Sequence, residues 1–252
     1  MLPLTSAAIN TNQELWLPLT DGTGTTATDI SGNSYTGTAR SSQGWATTLL
    51  GTAADNDSLT NGGFTCGDQS GLDMYGDKSF SLWVKPNGGS VTQMLLEKRN
   101  VGGGLEGYAC YIRYGTDSTV GFLADSGSST TTASSASALL TDVWSNVCVV
   151  VSGNDATIYV NGVAGTTVTS TDFAADLSNT VDFVVGHAQR YPLGSDDFDG
   201  NIQNVRVWSR ALTADEIWSI YSNPWLGSNY KLASGSTDYN FIFRSKRFRR
   251  LA

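Results

Sequence analysis

Ser79-Phe80-Ser81-Leu82-Trp83-Val84-Lys85-Pro86 sets small polar residues against large apolar ones with a period of two. That is the pattern of a strand with one face in a core, and Pro86-Asn87-Gly88-Gly89 stops it with turn residues. Outward from this stretch the same reading repeats. Residues 14–19 form an earlier strand, and apolar runs at 94–98, 108–114, 120–124, 144–151 and 157–160 form later ones. Asn161-Gly162 is a two-residue hairpin turn ahead of Val163, and 181–186 and 202–208 complete the series. Segment 126–138, nearly all Ser, Thr, Ala and Gly, reads as a flat edge strand or an exposed loop. One segment is helical: Thr213 is its N-cap, Glu216 the capping-box partner, Ile217, Ile220 and Tyr221 its apolar face, and Asn223-Pro224 its stop.

Composition supports an all-β chain. The 252 residues include 28 Gly, 29 Ser and 29 Thr but only 4 Glu and 5 Lys, which excludes helical bundles and βαβ enzymes rich in amphipathic helices. The 7 Trp, 10 Tyr and 9 Phe are enough for a core. The net charge of −8 is uneven: residues 1–243 hold 10 of the 15 basic residues against all 23 acidic ones, a balance of −13. Arg244, Lys246, Arg247, Arg249 and Arg250 follow with no acid among them. The acidic body disfavours nucleic acid, whereas the basic end suits a nucleic acid, an acidic protein surface or plain solvent. Met1 to Ser6 lacks the basic and apolar regions of a signal peptide, and no run approaches the length of a membrane span. Cys66, Cys110 and Cys148 are odd in number and lack C-x-x-C spacing, which argues against zinc and a disulfide scaffold, and Cys148 reads as a buried thiol.

Several segments then stand in a telling order over residues 14–224. Leu15-Trp16-Leu17-Pro18-Leu19 precedes Asp29-Ile30-Ser31-Gly32-Asn33 and the strand at 80–86. Trp144 opens an apolar strand that leads to Ile158-Tyr159-Val160-Asn161-Gly162. Phe198-Asp199-Gly200-Asn201-Ile202 runs through Trp208 into the helix. In this order they resemble laminin G-like domains of the concanavalin A-like superfamily. The resemblance implies a two-sheet antiparallel jelly-roll sandwich with one short C-terminal helix at about 213–222, preceded by an arm over 1–13 and followed by a separate segment over 225–252.

Trp16, Trp83, Trp144 and Trp208 fall on apolar strand faces and read as core. Glucanases of this fold need paired carboxylates, commonly spaced Glu-x-Asp-x-(x)-Glu. Glu occurs only at 14, 97, 106 and 216, none in that spacing, and the neighbours Asp196 and Asp197 point to opposite faces of a strand. His187 is the single histidine, with no G-x-S-x-G elbow, and no phosphate-binding glycine motif occurs. The expectation is a protein that is not an enzyme. By resemblance, calcium falls to Asp29, Asn33 and Asp199; the competing reading is that Asp29 and Asp199 accept backbone N–H groups and hold their turns. Loop 187–198 combines His187, Arg190, Tyr191, Asp196 and Asp197, the stacking ring and polar groups of a glycan site, and is otherwise a long polar loop.

Beyond Pro224, Trp225, Tyr239, Phe241, Phe243 and Phe248 interleave with Arg244, Lys246, Arg247, Arg249 and Arg250, a composition suited to docking. A sandwich with such an end resembles laminin G-like proteins of tailed bacteriophages. The resemblance implies a virion-surface module, assembled in the host cytoplasm and anchored by 225–252 to a capsid or tail protein. It would project a lectin-like sandwich toward host glycans, as a trimer by analogy. The alternative is a soluble or cell-surface lectin with no virion role.

Overall fold

The alternating stretch at 79–85 lies in a strand that is paired on both sides. The computed structural model describes residues 6–41, 43–48, 51–56, 62–100, 106–189 and 196–227. In chain order the strands begin with β1 (Gln13–Leu17), β2 (Thr26–Ala27), β3 (Gly37–Ala39), β4 (Gly44–Thr48), β5 (Gly51–Asn56) and β6 (Phe64–Thr65). Then come β7 (Lys78–Pro86), β8 (Gln93–Arg99), β9 (Glu106–Ile112), β10 (Thr119–Ser126) and β11 (Thr130–Ala138). The last are β12 (Ser145–Ser152), β13 (Asp155–Val160), β14 (Val163–Ala164), β15 (Val168–Thr169), β16 (Val184–Val185) and β17 (Gly200–Trp208). Helices α1 (Ser6–Ile9) and α2 (Thr171–Ala174) are single turns, and α3 (Ala214–Ser222) is longer.

Two antiparallel sheets form a sandwich. One runs β14-β13-β12-β7-β17-β5-β4, with β1 also on β17 and β15 on β13; the other runs β11-β10-β9-β8-β16-β6-β3-β2. Period two then divides the side chains. Phe80, Leu82 and Val84 of β7 enter the core between the sheets, where Phe80 lies 5.0 Å from Tyr108 and 5.7 Å from Phe122 between ring centroids. A second apolar layer covers the outer face of the first sheet, where Ile9, Cys148, Val150, Trp208, Leu212, Ile217 and Ile220 pack together.

The expected helix is present with its cap. Thr213 Oγ1 accepts from the Glu216 N–H at 3.3 Å and the Glu216 carboxylate accepts from the Thr213 N–H at 2.8 Å. Segment 126–138 yields the edge strand β11. Three expectations change. Strand 181–186 shrinks to two residues, and α1 and α2 were not foreseen. Trp144 is only half-buried and precedes β12. All three cysteines are buried free thiols.

The two ends of the described body meet at Arg206. This fully buried guanidinium lies 3.8 Å from the Trp16 ring centroid and 4.9 Å from that of Trp208. It donates to the Leu226 carbonyl at 3.0 Å and to Asn10 Oδ1 at 3.2 Å. Burial pushes its pKa down to about 9. It ties β17 to the segment before β1 and to the chain after α3.

Candidate ligand-binding site

The described ends of loop 187–198 adjoin the outer face of the eight-stranded sheet. Register puts Glu97 and Arg99 of β8 on that face, with Thr65 of β6 and Val184 of β16. Beyond β16 the chain bends at Gly186, whose φ is +76° and where a Cβ would stand 1.9 Å from Asn56 Nδ2, so only glycine passes. The bend brings His187 Nε2 within 3.3 Å of Thr65 Oγ1, with Nδ1 3.3 Å from the Ala188 carbonyl. His187 is buried, and loss of solvent holds its pKa below the usual histidine value, with the nearby Arg40 charge acting in the same direction. Ala188 packs on Met94 and Ala109.

Two ion pairs fasten the loop. Asp197 meets Arg40 Nη1 through both oxygens at 3.2 Å and accepts from the Ala188 N–H at 3.0 Å. Glu97 lies 3.3 Å from Arg99 Nε and accepts from the Gln189 N–H at 2.8 Å. The Asp196 carbonyl accepts from the Met94 N–H at 2.8 Å. Both ends of segment 190–195 are thus anchored, while Arg190 and Tyr191 lie outside the described residues. Beside the loop runs a shallow groove lined by Thr36, Thr38, Arg40 and Thr65, three hydroxyls and a guanidinium oriented by Asp197.

Of the five residues expected to meet a glycan, His187 and Asp197 are buried near each other, and Asp196 is partly exposed. Sequence reasoning missed Arg40, Glu97 and Arg99. The one available signal was the charged run Glu97-Lys98-Arg99 inside an apolar strand. The four glutamates do not pair across a cleft: Glu97 holds Arg99, Glu216 caps α3, Glu14 accepts from Ser209 Oγ at 2.6 Å, and Glu106 is exposed at the start of β9.

Asp29, Asn33 and Asp199, the residues to which the resemblance assigns calcium, stand in two places. Asp29 accepts from the Trp16, Ser31 and Tyr35 N–H groups, each at 2.9 Å, and from Ser31 Oγ at 2.8 Å, which fills a carboxylate. Asn33 turns its amide nitrogen to the Glu14 carbonyl at 2.9 Å. Asp199 precedes β17, whereas the Asp29 turn sits on Trp16, which pairs with Arg206. At the rise of a strand those points are about 20 Å apart. An oxygen cage of the kind cations take does occur elsewhere, and Lys98 fills it. Its buried ammonium lies 2.8 Å from Asp68, 3.0 Å from Asp73, 3.0 Å from the Asn179 carbonyl and 2.8 Å from the Val181 carbonyl.

Trp225 is among the residues expected to dock a partner. It is buried, and the residues around it are tied to the body by Asn204 to the Pro224 carbonyl and Asn10 to the Gly227 carbonyl. Tyr239, Phe241, Phe243, Arg244, Lys246, Arg247, Phe248, Arg249 and Arg250 lie outside the described residues. Among the described residues no helix is long and apolar enough to cross a membrane.

A family model for the concanavalin A-like lectin/glucanases superfamily (Laminin_G_3) matches residues 59–218. No curated protein matches in sequence. Among solved structures, the binding domain of Paraclostridial Mosquitocidal Protein 1 superposes with a TM-score of 0.70 at 12% identity over 86% of this chain and 53% of that one. Domain 4 of AbnA, an extracellular arabinanase of Geobacillus stearothermophilus solved with arabinotriose, gives 0.66 at 19% identity over 83% and 98%. Botulinum neurotoxin type C, whose cell entry is described as dependent on two ganglioside molecules, gives 0.63 at 15% identity over 86% and 52%. The chain therefore spans about half the length of these toxin chains and nearly all of the arabinanase domain. At these identities the likeness is one of fold.

Proposed function

We propose, from the premise that this chain belongs to the concanavalin A-like lectin/glucanases superfamily, that it is a non-catalytic carbohydrate-binding module. The observation that carries this is the anchoring of both ends of segment 190–195 by the Asp197–Arg40 and Glu97–Arg99 pairs. A segment fixed at both ends costs little to order on binding, and its sequence supplies an aromatic ring, Tyr191, and a guanidinium, Arg190, of the kinds that sugars meet. The same pairs argue against hydrolysis, since the buried carboxylates nearest the loop are engaged by arginines and backbone N–H groups instead of facing a glycosidic bond. The arabinotriose complex of the arabinanase domain supports a sugar ligand for this fold.

The test is a glycan array on the full chain, followed by calorimetry on the best ligand. Tyr191→Ala should weaken binding roughly tenfold or more with the fold intact. Absence of any glycan ligand, or equal affinity in the variant, overturns the site, and release of reducing sugar overturns the non-catalytic assignment. Attachment to a capsid or tail protein is supported only by the aromatic and basic composition of residues 228–252. Deletion of that segment should then abolish particle association, and association retained without it would leave a free or cell-surface lectin as the better reading.

A further inference from the structure

At the opposite edge of the sandwich, a groove of about 510 Å³ opens between the end of β11, the chain at 140–145, the β13–β14 turn and α3. Seven large hydrophobic side chains stand exposed among the described residues, and four of them, Leu140, Val143, Val163 and Trp218, converge here. Apolar side chains scattered singly need no explanation, but a cluster of this kind marks a binding surface. Its size and its mixture of apolar walls with a few polar groups match a small-ligand site.

Trp218 is 55% exposed and yet held in place. In the Asn161-Gly162 turn Gly162 has φ +76°, and a Cβ there would stand 2.8 Å from Trp218 Cε3, so the bare backbone lies against the ring. Tyr221 meets Trp218 at 5.5 Å between centroids and stacks on buried Trp83 at 5.9 Å. The indole is therefore braced from two sides with the rest of its surface open, the arrangement of a preorganised stacking platform. Among the described residues no charged side chain lines the groove, and its hydrogen-bonding side chains are Ser137, Ser145, Asn161, the Tyr221 hydroxyl and the Trp218 indole N–H. Asn161 Oδ1 accepts from the Asn146 N–H at 2.9 Å, which leaves its amide nitrogen to donate.

We infer that this groove binds an uncharged saccharide, with a sugar ring stacked on Trp218 and its hydroxyls taken by Asn161 and the two serines. A charged sugar would lose hydration here without meeting a counter-charge. The inference rests on the carbohydrate-binding reading and adds a second contact, at the far edge of the sandwich from loop 187–198.

The full chain is titrated with arabinotriose, maltotriose and cellotriose, and with sialyllactose as the charged comparison, by calorimetry and tryptophan fluorescence. At least one neutral trisaccharide should bind with a change in emission. Trp218→Ala should weaken it roughly tenfold or more, Trp218→Tyr should retain most of the affinity, and Tyr191→Ala should leave it unchanged. If neutral sugars bind and lose affinity with Tyr191→Ala but not with Trp218→Ala, this inference fails while the general reading stands. If none binds here and the array also finds no ligand, both fail. If sedimentation shows self-association that Trp218→Ala abolishes, the groove is an interface between copies and the inference is overturned.

Discussion

Burial disfavours the charged form of His187, and that has a consequence for stability. Burial lowers its folded-state pKa below the ordinary 6.5, and the groups that face it are Thr65, Arg40 and Asp197. The sign follows from linkage: the unfolded chain takes up a proton near pH 6.5, while the folded chain resists it to lower pH. The contribution is fully present above the unfolded value and is lost as pH falls through the folded one. Urea unfolding at about pH 7.5 and about pH 5 should show a loss of stability in the wild type that His187→Gln reduces. Equal losses in the two proteins would mean that the imidazole titrates freely. The chemical character of His187 and Asp197 was legible in the sequence, but their role was not. The partner that decides it, Arg40, lies 157 residues away from Asp197 and is brought near only by the pairing of β3 with β6.

Strands that carry their own pattern were the readable elements. β7, β12 and β17 are eight or nine residues long, long enough for period two to mark β7 and for a continuous apolar run to mark β12. β2, β3 and β6 have two or three residues, and their place is set by the neighbours they pair with. The shortened strand near 181–186 has a physical cause. The Asn179 and Val181 carbonyls turn to the Lys98 ammonium, so the chain wraps a buried charge where it would otherwise pair. α3 was legible because its cap is local. Arg210 adds to that cap by holding both Glu216 oxygens, at 2.7 and 2.9 Å. Glu216 is partly buried, which raises its pKa, but the hydrogen bonds from Arg210 and Thr213 outweigh this and the net shift is downward. Removing the hydroxyl with Thr213→Ala should cost about 1 kcal/mol, measured by chemical denaturation. Because α3 carries Trp218, a loss much larger than that would show that the cap also sets the packing of the helix on Cys148 and Val150.

Charge belongs to the scale of the whole molecule. The −13 of residues 1–243 and the five cationic residues that follow occupy one chain, so a polyanion meets repulsion from the body and attraction from the end. This affects how sugar binding has to be read. A sulfated glycan can be captured through Arg244, Lys246, Arg247, Arg249 and Arg250 without entering either groove, and such capture releases counterions and weakens steeply with salt. Binding to an uncharged sugar through stacking and neutral hydrogen bonds has no such dependence. On immobilised heparin the full chain should be retained at low salt. Arg247→Gln/Arg249→Gln/Arg250→Gln should elute earlier, with the slope of log affinity against log salt shallower by about two to three. Neutral trisaccharide affinity in the same variant should stay unchanged across that salt range. Unaltered heparin retention would mean that body cations, of which Arg40 lines a groove, supply the attraction. The anionic hits of an array would then report on loop 187–198 after all.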